Sequence, residues 1–185
     1  MNLEQHETLH IEEIYRGKYL ALQRQTIRLP NERVVLREVV IPPDAVAMLP
    51  LDSRGLVYMI RQYRPAAKKV LLEIPAGILD PGESPEETAQ RELIEEVGKS
   101  AATLTHLFRY YHAEGYSTGI IDLYLATHLS DVSSPARDTS ELLEVVSLPF
   151  QELYEKVLRK EIVDSKSLLA IMRTAMLMKE PGFSY

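Results

Sequence analysis

The chain has 185 residues, enough for one ordinary domain with its own core, and its 45% hydrophobic and 26% charged content is that of a soluble globular protein. A formal net charge of −6 argues against bulk electrostatic binding to nucleic acid or to an anionic membrane, and the absence of cysteine excludes disulfides, thiolate metal sites and cysteine nucleophiles. The start, MNLEQHETLHIEE, is polar and acidic rather than signal-like, and no apolar run reaches membrane-spanning length; a cytoplasmic protein is expected, with no nucleic-acid or membrane partner.

Residues 8–41 are predicted to be β structure. The pattern gives a strand, a turn at Arg16–Lys18, a second strand, a turn near Pro30–Asn31 and a third strand that stops at Pro42–Pro43. Residues 1–43 are therefore expected to form an N-terminal β extension, and residues 44–185 the main domain. AVAMLPL and GLVYMIRQYR follow as two strands round a turn at Asp52–Gly55, and LLEIPAG is a short strand broken at Pro75. Residues 78–83 read as a loop and 85–97 as a helix. TLTHLFRYYH, GIIDLYLATHL and LLEVVSLP are later strands, while PFQELYEKVLRKEI and SKSLLAIMRTAMLMK carry helical apolar spacing. This mixed order points to an α/β or α+β sandwich.

The stretch from Ala76 to Lys99 holds seven acidic residues (Asp80, Glu83, Glu86, Glu87, Glu92, Glu95 and Glu96) against Arg91 and Lys99. Its helix is bounded by its own sequence. Ser84 can cap, Pro85 suits the first helical position, Glu87 can complete a capping box, and Gly98 can stop the helix. At helical spacing, Glu92, Glu95 and Glu96 fall within about 100° of arc, beside an apolar stripe of Ala89, Leu93 and Val97. Like charges this close each cost an isolated helix roughly 0.2–0.5 kcal/mol. A divalent cation would turn that repulsion into a binding site, and hard carboxylate oxygens select Mg²⁺, Mn²⁺ or Ca²⁺ over softer metals.

The full spacing is Gly77-x5-Glu83-x7-Arg91-Glu92-Leu93-x-Glu95-Glu96-x-Gly98. It resembles the Nudix box, G-x5-E-x7-R-E-U-x-E-E-x-G-U, with U aliphatic; the one departure is Lys99 at the last position, whose stem can cover apolar surface. Seven specified matches at about 6% usage each arise by chance on the order of 10⁻⁹ to 10⁻⁸ per start position, so coincidence is set aside. AVAMLPLD, a strand ending Arg61-Gln62-Tyr63-Arg64, and Leu72-Glu73-Ile74-Pro75-Ala76-Gly77 extend the likeness to the ADP-ribose pyrophosphatase branch of the Nudix hydrolases.

The resemblance implies a Nudix-type α/β/α sandwich with an N-terminal β-sheet extension that builds a homodimer. It also implies Mg²⁺-dependent hydrolysis (Mn²⁺ being an alternative) of ADP-ribose or a related nucleotide sugar to a nucleoside monophosphate and a sugar phosphate. Glu92, Glu96 and the Ala76 carbonyl would be metal ligands, with Glu95 a ligand or a support for one. Arg91 would orient Glu83 or Glu95, and Gly77 would allow the strand-to-loop bend. Arg64 would contact a substrate phosphate, Glu73 would lie near the substrate, and Arg61 is a further candidate. Glu141 would be the catalytic base or an extra metal ligand, with Asp138 second, in the loop SDVSSPARDTSE before the last strand.

Two departures bear on the substrate. Where the branch commonly carries Y-x-S-P-G-x-S-D-E, this chain has Tyr111 to Gly119, with Glu114 in place of the proline and Gly119 in place of the final glutamate. Glu114 is a candidate contact for sugar hydroxyls, and GDP-mannose or another nucleotide sugar becomes an alternative to ADP-ribose. Tyr110, Tyr111 and Tyr116 are candidates for stacking. Two other classes were weighed. Gly115-Tyr116-Ser117-Thr118-Gly119 fits the nucleophile-elbow pattern, but a strand rather than a helix is expected after it. A nucleotide-sensing module would be expected to lack box glutamates, and none is missing.

Overall fold

The structure is a computed structural model and describes residues 5–132 and 142–183. The elements follow the expected order along the chain, except that the single strand expected at LLEIPAG is two, and the backbone divides into two compact units.

The smaller unit comprises the chain up to Asp44 together with Tyr110–Ile120. Strands β1 (Glu7–Arg16), β2 (Ala21–Arg28) and β3 (Val34–Ile41) form an antiparallel meander with β2 at its centre. Residues 112–119 run beside β3: the Val40 amide donates to the Tyr116 carbonyl at 2.8 Å, and the Thr118 amide to the Val40 carbonyl at 3.1 Å.

The larger unit, Ala45–Arg109 with Ile121–Tyr185, carries two sheets and the helices. One sheet has the order β10-β5-β6, from β5 (Leu56–Arg64), β6 (Lys69–Glu73) and β10 (Leu143–Pro149). The other has the order β7-β4-β9-β8, from β4 (Ala45–Pro50), β7 (Ala76–Ile78), β8 (Lys99–Tyr111) and β9 (Ile120–Asp131). β4 runs parallel to β9 and antiparallel to β7.

Helix α1 (Pro85–Glu92) starts on the expected capping box. The Ser84 side chain accepts from the Glu87 amide, and the Glu87 carboxylate accepts from the Ser84 amide. Its last turn differs from expectation. Leu93–Val97 winds as a π-helix and stops at Gly98, whose φ of 73° lies in the left-handed region. Such widened turns recur at functional sites. The stripe Ala89, Leu93 and Val97 packs with Val46, Met48, Tyr124 and Ala126 in one buried cluster, against β4 and β9. Full burial of a side chain such as Leu93 is worth roughly 1.5–3 kcal/mol. The alternate β4 residues Ala47 and Leu49 are fully buried as well, so this strand is covered on both faces. Helices α2 (Phe150–Leu158) and α3 (Ser165–Leu177) complete the unit, and α3 contacts β4.

Lys99 behaves as its stem allows. Its ammonium lies 4.7 Å from the centre of the Tyr58 ring and 2.6 Å from Asp131, so an aliphatic position is filled by a lysine whose charge escapes to the rim.

Candidate active site

β6 and β7 are separated by only Ile74 and Pro75, yet they belong to different sheets: Glu73 is paired with Ile60 of β5, and Ala76 with Ala47 of β4. Sequence alone gives one strand broken at Pro75. The structure shows why the break matters, because the chain changes sheets there and delivers Ala76 and Gly77 beneath the acidic end of α1. The Ala76 amide donates to Glu96 Oε2 at 3.0 Å, so the strand and the π turn are joined at the residues expected to hold metal.

Gly77 has a cause other than the bend expected of it. It sits within a strand and has none of the positive φ seen at Gly82 and Gly98. What it lacks is room: a Cβ built there would stand 2.0 Å from both Cδ and Oε1 of Glu92. Glycine is required so that the Glu92 carboxylate can lie against the strand.

Arg91 gathers the remaining carboxylates. Its Nε donates to Glu83 Oε1 at 3.0 Å, its Nη1 to Glu92 Oε1 at 2.6 Å and to Glu95 Oε2 at 3.2 Å, and its Nη2 to Glu83 Oε2 at 3.0 Å and the Ile78 carbonyl at 3.2 Å. Glu83 or Glu95 was the expected partner; the guanidinium reaches both and Glu92 as well. These hydrogen bonds, with a second from Thr88 Oγ1 at 2.8 Å, hold the Glu83 carboxyl at about 2 and raise the Arg91 pKa further, so both stay ionised across the working pH range.

Three carboxylates around one guanidinium leave an excess of negative charge, which Glu96, itself buried, increases. Among the described residues, no three His, Asp or Glu side chains already stand as a preformed metal cage, since Arg91 lies between Glu92 and Glu95. The residues nevertheless fit a hard divalent cation. The donors are carboxylate oxygens, they are drawn together on one strand end, and the missing Cβ at Gly77 leaves Glu92 its place.

Arg64 and Glu73 meet through two parallel bonds, Nε to Oε1 and Nη2 to Oε2, each 2.8 Å. Glu73 is almost wholly buried (1% exposed) and lies beneath Arg64 rather than facing solvent. Burial opposes its ionisation, but the Arg64 hydrogen bonds and the Lys166 charge prevail and hold its carboxyl below the ordinary range. Arg61 pairs instead with Glu144, its register partner on β10, at 2.7 Å. Glu114 belongs to the smaller unit, where with Tyr111, Tyr116, Arg37 and Ile27 it lines a cavity of about 380 Å³. Glu141 and Asp138 lie outside the described residues. After Ser117 the chain enters β9, so the strand–turn–helix of a nucleophile elbow is not formed.

Two features escaped sequence reasoning. Lys166, at the start of α3, is buried and donates to Glu73 Oε2 and to Asp164 Oδ1, the latter at 3.0 Å. Asp122, on β9, is buried and accepts from Arg109 Nη1 at 2.6 Å and bonds His106 Nε2 at 3.0 Å. For Asp122 the available signal was a charge inside the apolar run IIDLYLA, because a buried charge needs a partner; Lys166, between Ser165 and Ser167, carries no such signal.

The NUDIX domain profile matches residues 41–170, and the chain belongs to that family. It is 36% identical over 166 residues to the ADP-ribose pyrophosphatase of Bacillus subtilis, covering 89% of this chain and 90% of that one. It is 39% identical over 168 residues to the ADP-ribose pyrophosphatase of Mycobacterium tuberculosis, covering 90% and 81%. A crystal structure of an ADP compounds hydrolase superposes with a TM-score of 0.86 at 25% identity, over 98% of each chain. The α/β architecture expected from the resemblance is the one observed. Among the described residues, no helix is long and apolar enough to cross a membrane.

Proposed function

We propose that this chain is a Nudix pyrophosphohydrolase that hydrolyses the diphosphate bridge of ADP-ribose or a closely related nucleotide sugar. Water adds to one phosphorus, the bridging oxygen leaves with the other, and the products are a nucleoside monophosphate and a sugar phosphate. The observation that carries the proposal is the placing of Glu92 and Glu96 against Gly77 and Ala76, with Glu95 tied to Glu92 through Arg91, in a chain of this family.

Glu92, Glu95, Glu96 and the Ala76 carbonyl are the residues we assign to holding Mg²⁺, or Mn²⁺ in its place. A divalent cation bound there offsets charge on the phosphoryl oxygens and acidifies water. Arg91 orients Glu83, Glu92 and Glu95 through the bonds described above. Arg64, fixed by Glu73, is assigned to a substrate phosphate. Glu141 is assigned as base on the place of its loop in the sequence, and Glu141→Gln should slow turnover more than it weakens metal binding. Arg61, tied to Glu144, is the weakest of the substrate candidates.

Residues 1–43 are proposed as a dimerisation extension of a Nudix domain over 44–185. Tyr15 and Leu36, which the strand register places on one face of the meander, are each more than half exposed, an apolar surface that a second copy would cover. A single monomeric species in sedimentation would remove that assignment. A cytoplasmic location rests on the cysteine-free, acidic composition.

The purified protein with Mg²⁺ should be offered ADP-ribose, GDP-mannose, UDP-glucose, NADH and dinucleoside polyphosphates. ADP-ribose is expected to be cleaved fastest. Glu114, at the position where the resembling branch has proline, favours GDP-mannose as the second reading, and faster cleavage of that substrate would establish it. No turnover of any would favour a sensing module.

A further inference from the structure

We infer that the first turn of α3, through Lys166 and Ser167, is a positioning device for the Ala76–Glu96 pair; the inference rests on the metal site proposed above. At the change of sheets the backbone of Ile74 has left the β5–β6 ladder and has not joined β4, so its amide needs another acceptor. Ser167 Oγ accepts from it at 2.8 Å, with both residues fully buried. The hydroxyl has one proton, and it is committed to Asp164 Oδ2 at 2.5 Å, which turns its lone pairs toward Ile74. Asp164, the N-cap of α3, also accepts from the Ser167 amide at 3.0 Å.

Lys166 grips the residue before. Its ammonium joins Glu73 Oε2 to Asp164 Oδ1. Four successive residues are thus held: Glu73 by its carboxylate, Ile74 by its amide, Pro75 through its carbonyl accepting from the Met48 amide at 3.1 Å, and Ala76 by the bond to Glu96. The α3 turn holds the first two, and the spacing of the chain carries their position to Ala76 within two peptide units. No group on α3 is required to touch substrate or cation; its effect is on where Ala76 and Glu96 stand.

The test is Mn²⁺ titration of the purified full chain by electron paramagnetic resonance, with circular dichroism to verify folding and kcat and KM measured alongside. Ser167→Ala should weaken Mn²⁺ binding about tenfold, as for groups that orient a metal's ligands, and should lower kcat more than it raises KM. Ser167→Thr, which keeps a hydroxyl, should restore both. Val57→Ala, a fully buried β5 position paired with Leu148 rather than with Glu73–Ala76, should lose stability and keep wild-type affinity. If Ser167→Ala does not fold, Lys166→Met decides by the same titration. Wild-type affinity in the folded variant, or an equal loss in Val57→Ala, overturns the inference. Glu96→Gln separates the two levels: unchanged affinity there defeats the metal-site proposal, whereas lost affinity there with unchanged affinity in the α3 variants defeats the positioning role alone.

Discussion

The carboxylate of Glu92 fills the volume that any side chain on Gly77 would need, with Cδ and Oε1 each 2.0 Å from the position of a Cβ. Glycine and glutamate are therefore one feature of the site, although fifteen positions separate them in the chain.

Gly77→Ala tests this directly. The methyl meets mainly the far end of a flexible side chain, so Glu92 can swing away and the fold survives. Activity should fall by about 10–100-fold, the usual cost of displacing a group that serves a metal, while the thermal midpoint moves little. Parallel assays of turnover and thermal unfolding distinguish this from a folding defect.

Glu83 gives a pH prediction. Its hydrogen bonds to Arg91 and Thr88 lower its carboxyl to about 2 in the folded chain, below the ordinary value of 4.5. The linked stability is fully present above about pH 4.5 and disappears as pH falls through about 2, since the unfolded chain takes up the proton first. The urea midpoint of the wild type, measured with chelator, should drop over that window. In Glu83→Gln the drop should be shallower, and identical curves would contradict the pairing.

Glu73→Ala should be far more damaging to stability than Arg64→Ala. Removing Glu73 leaves Lys166 buried beside Asp164, and breaking such a buried pair costs about 3–5 kcal/mol. Arg64→Ala leaves the buried Glu73 its bond to Lys166, and the side chain removed was already about a third exposed, so water can enter in its place. Denaturant unfolding of the two variants checks the order.

Lys99→Met loses the ammonium over the Tyr58 ring and a pair with Asp131, which is almost fully solvated. Stability should fall by about 1 kcal/mol or less, the scale of a cation–π contact near the surface and a solvated ion pair. A loss several times larger would mean that the ammonium, not the stem, fills the aliphatic position.

How much was legible follows the range of the interactions. The capping box of Ser84 and Glu87, the stripe of Ala89, Leu93 and Val97, and the stop at Gly98 are local, and each is where the spacing puts it. The π turn was not legible, because one widened turn leaves the apolar spacing nearly unchanged. β7 was hidden for another reason: three residues after a proline are strand only because β4 is there to pair with them. Lys166 meets Glu73 across 93 positions, a distance no periodicity reports. Gly77 was singled out correctly but for its backbone freedom, when the structure needs its missing side chain.

The measurement closest to the centre of this account is calorimetric titration of Mg²⁺ and Mn²⁺ into the wild type and Glu96→Gln, each with and without a non-hydrolysable nucleotide sugar. Saturable uptake by the wild type that is lost in a folded Glu96→Gln is the predicted result. No uptake by the wild type under any of these conditions, or equal uptake by both proteins, would contradict it.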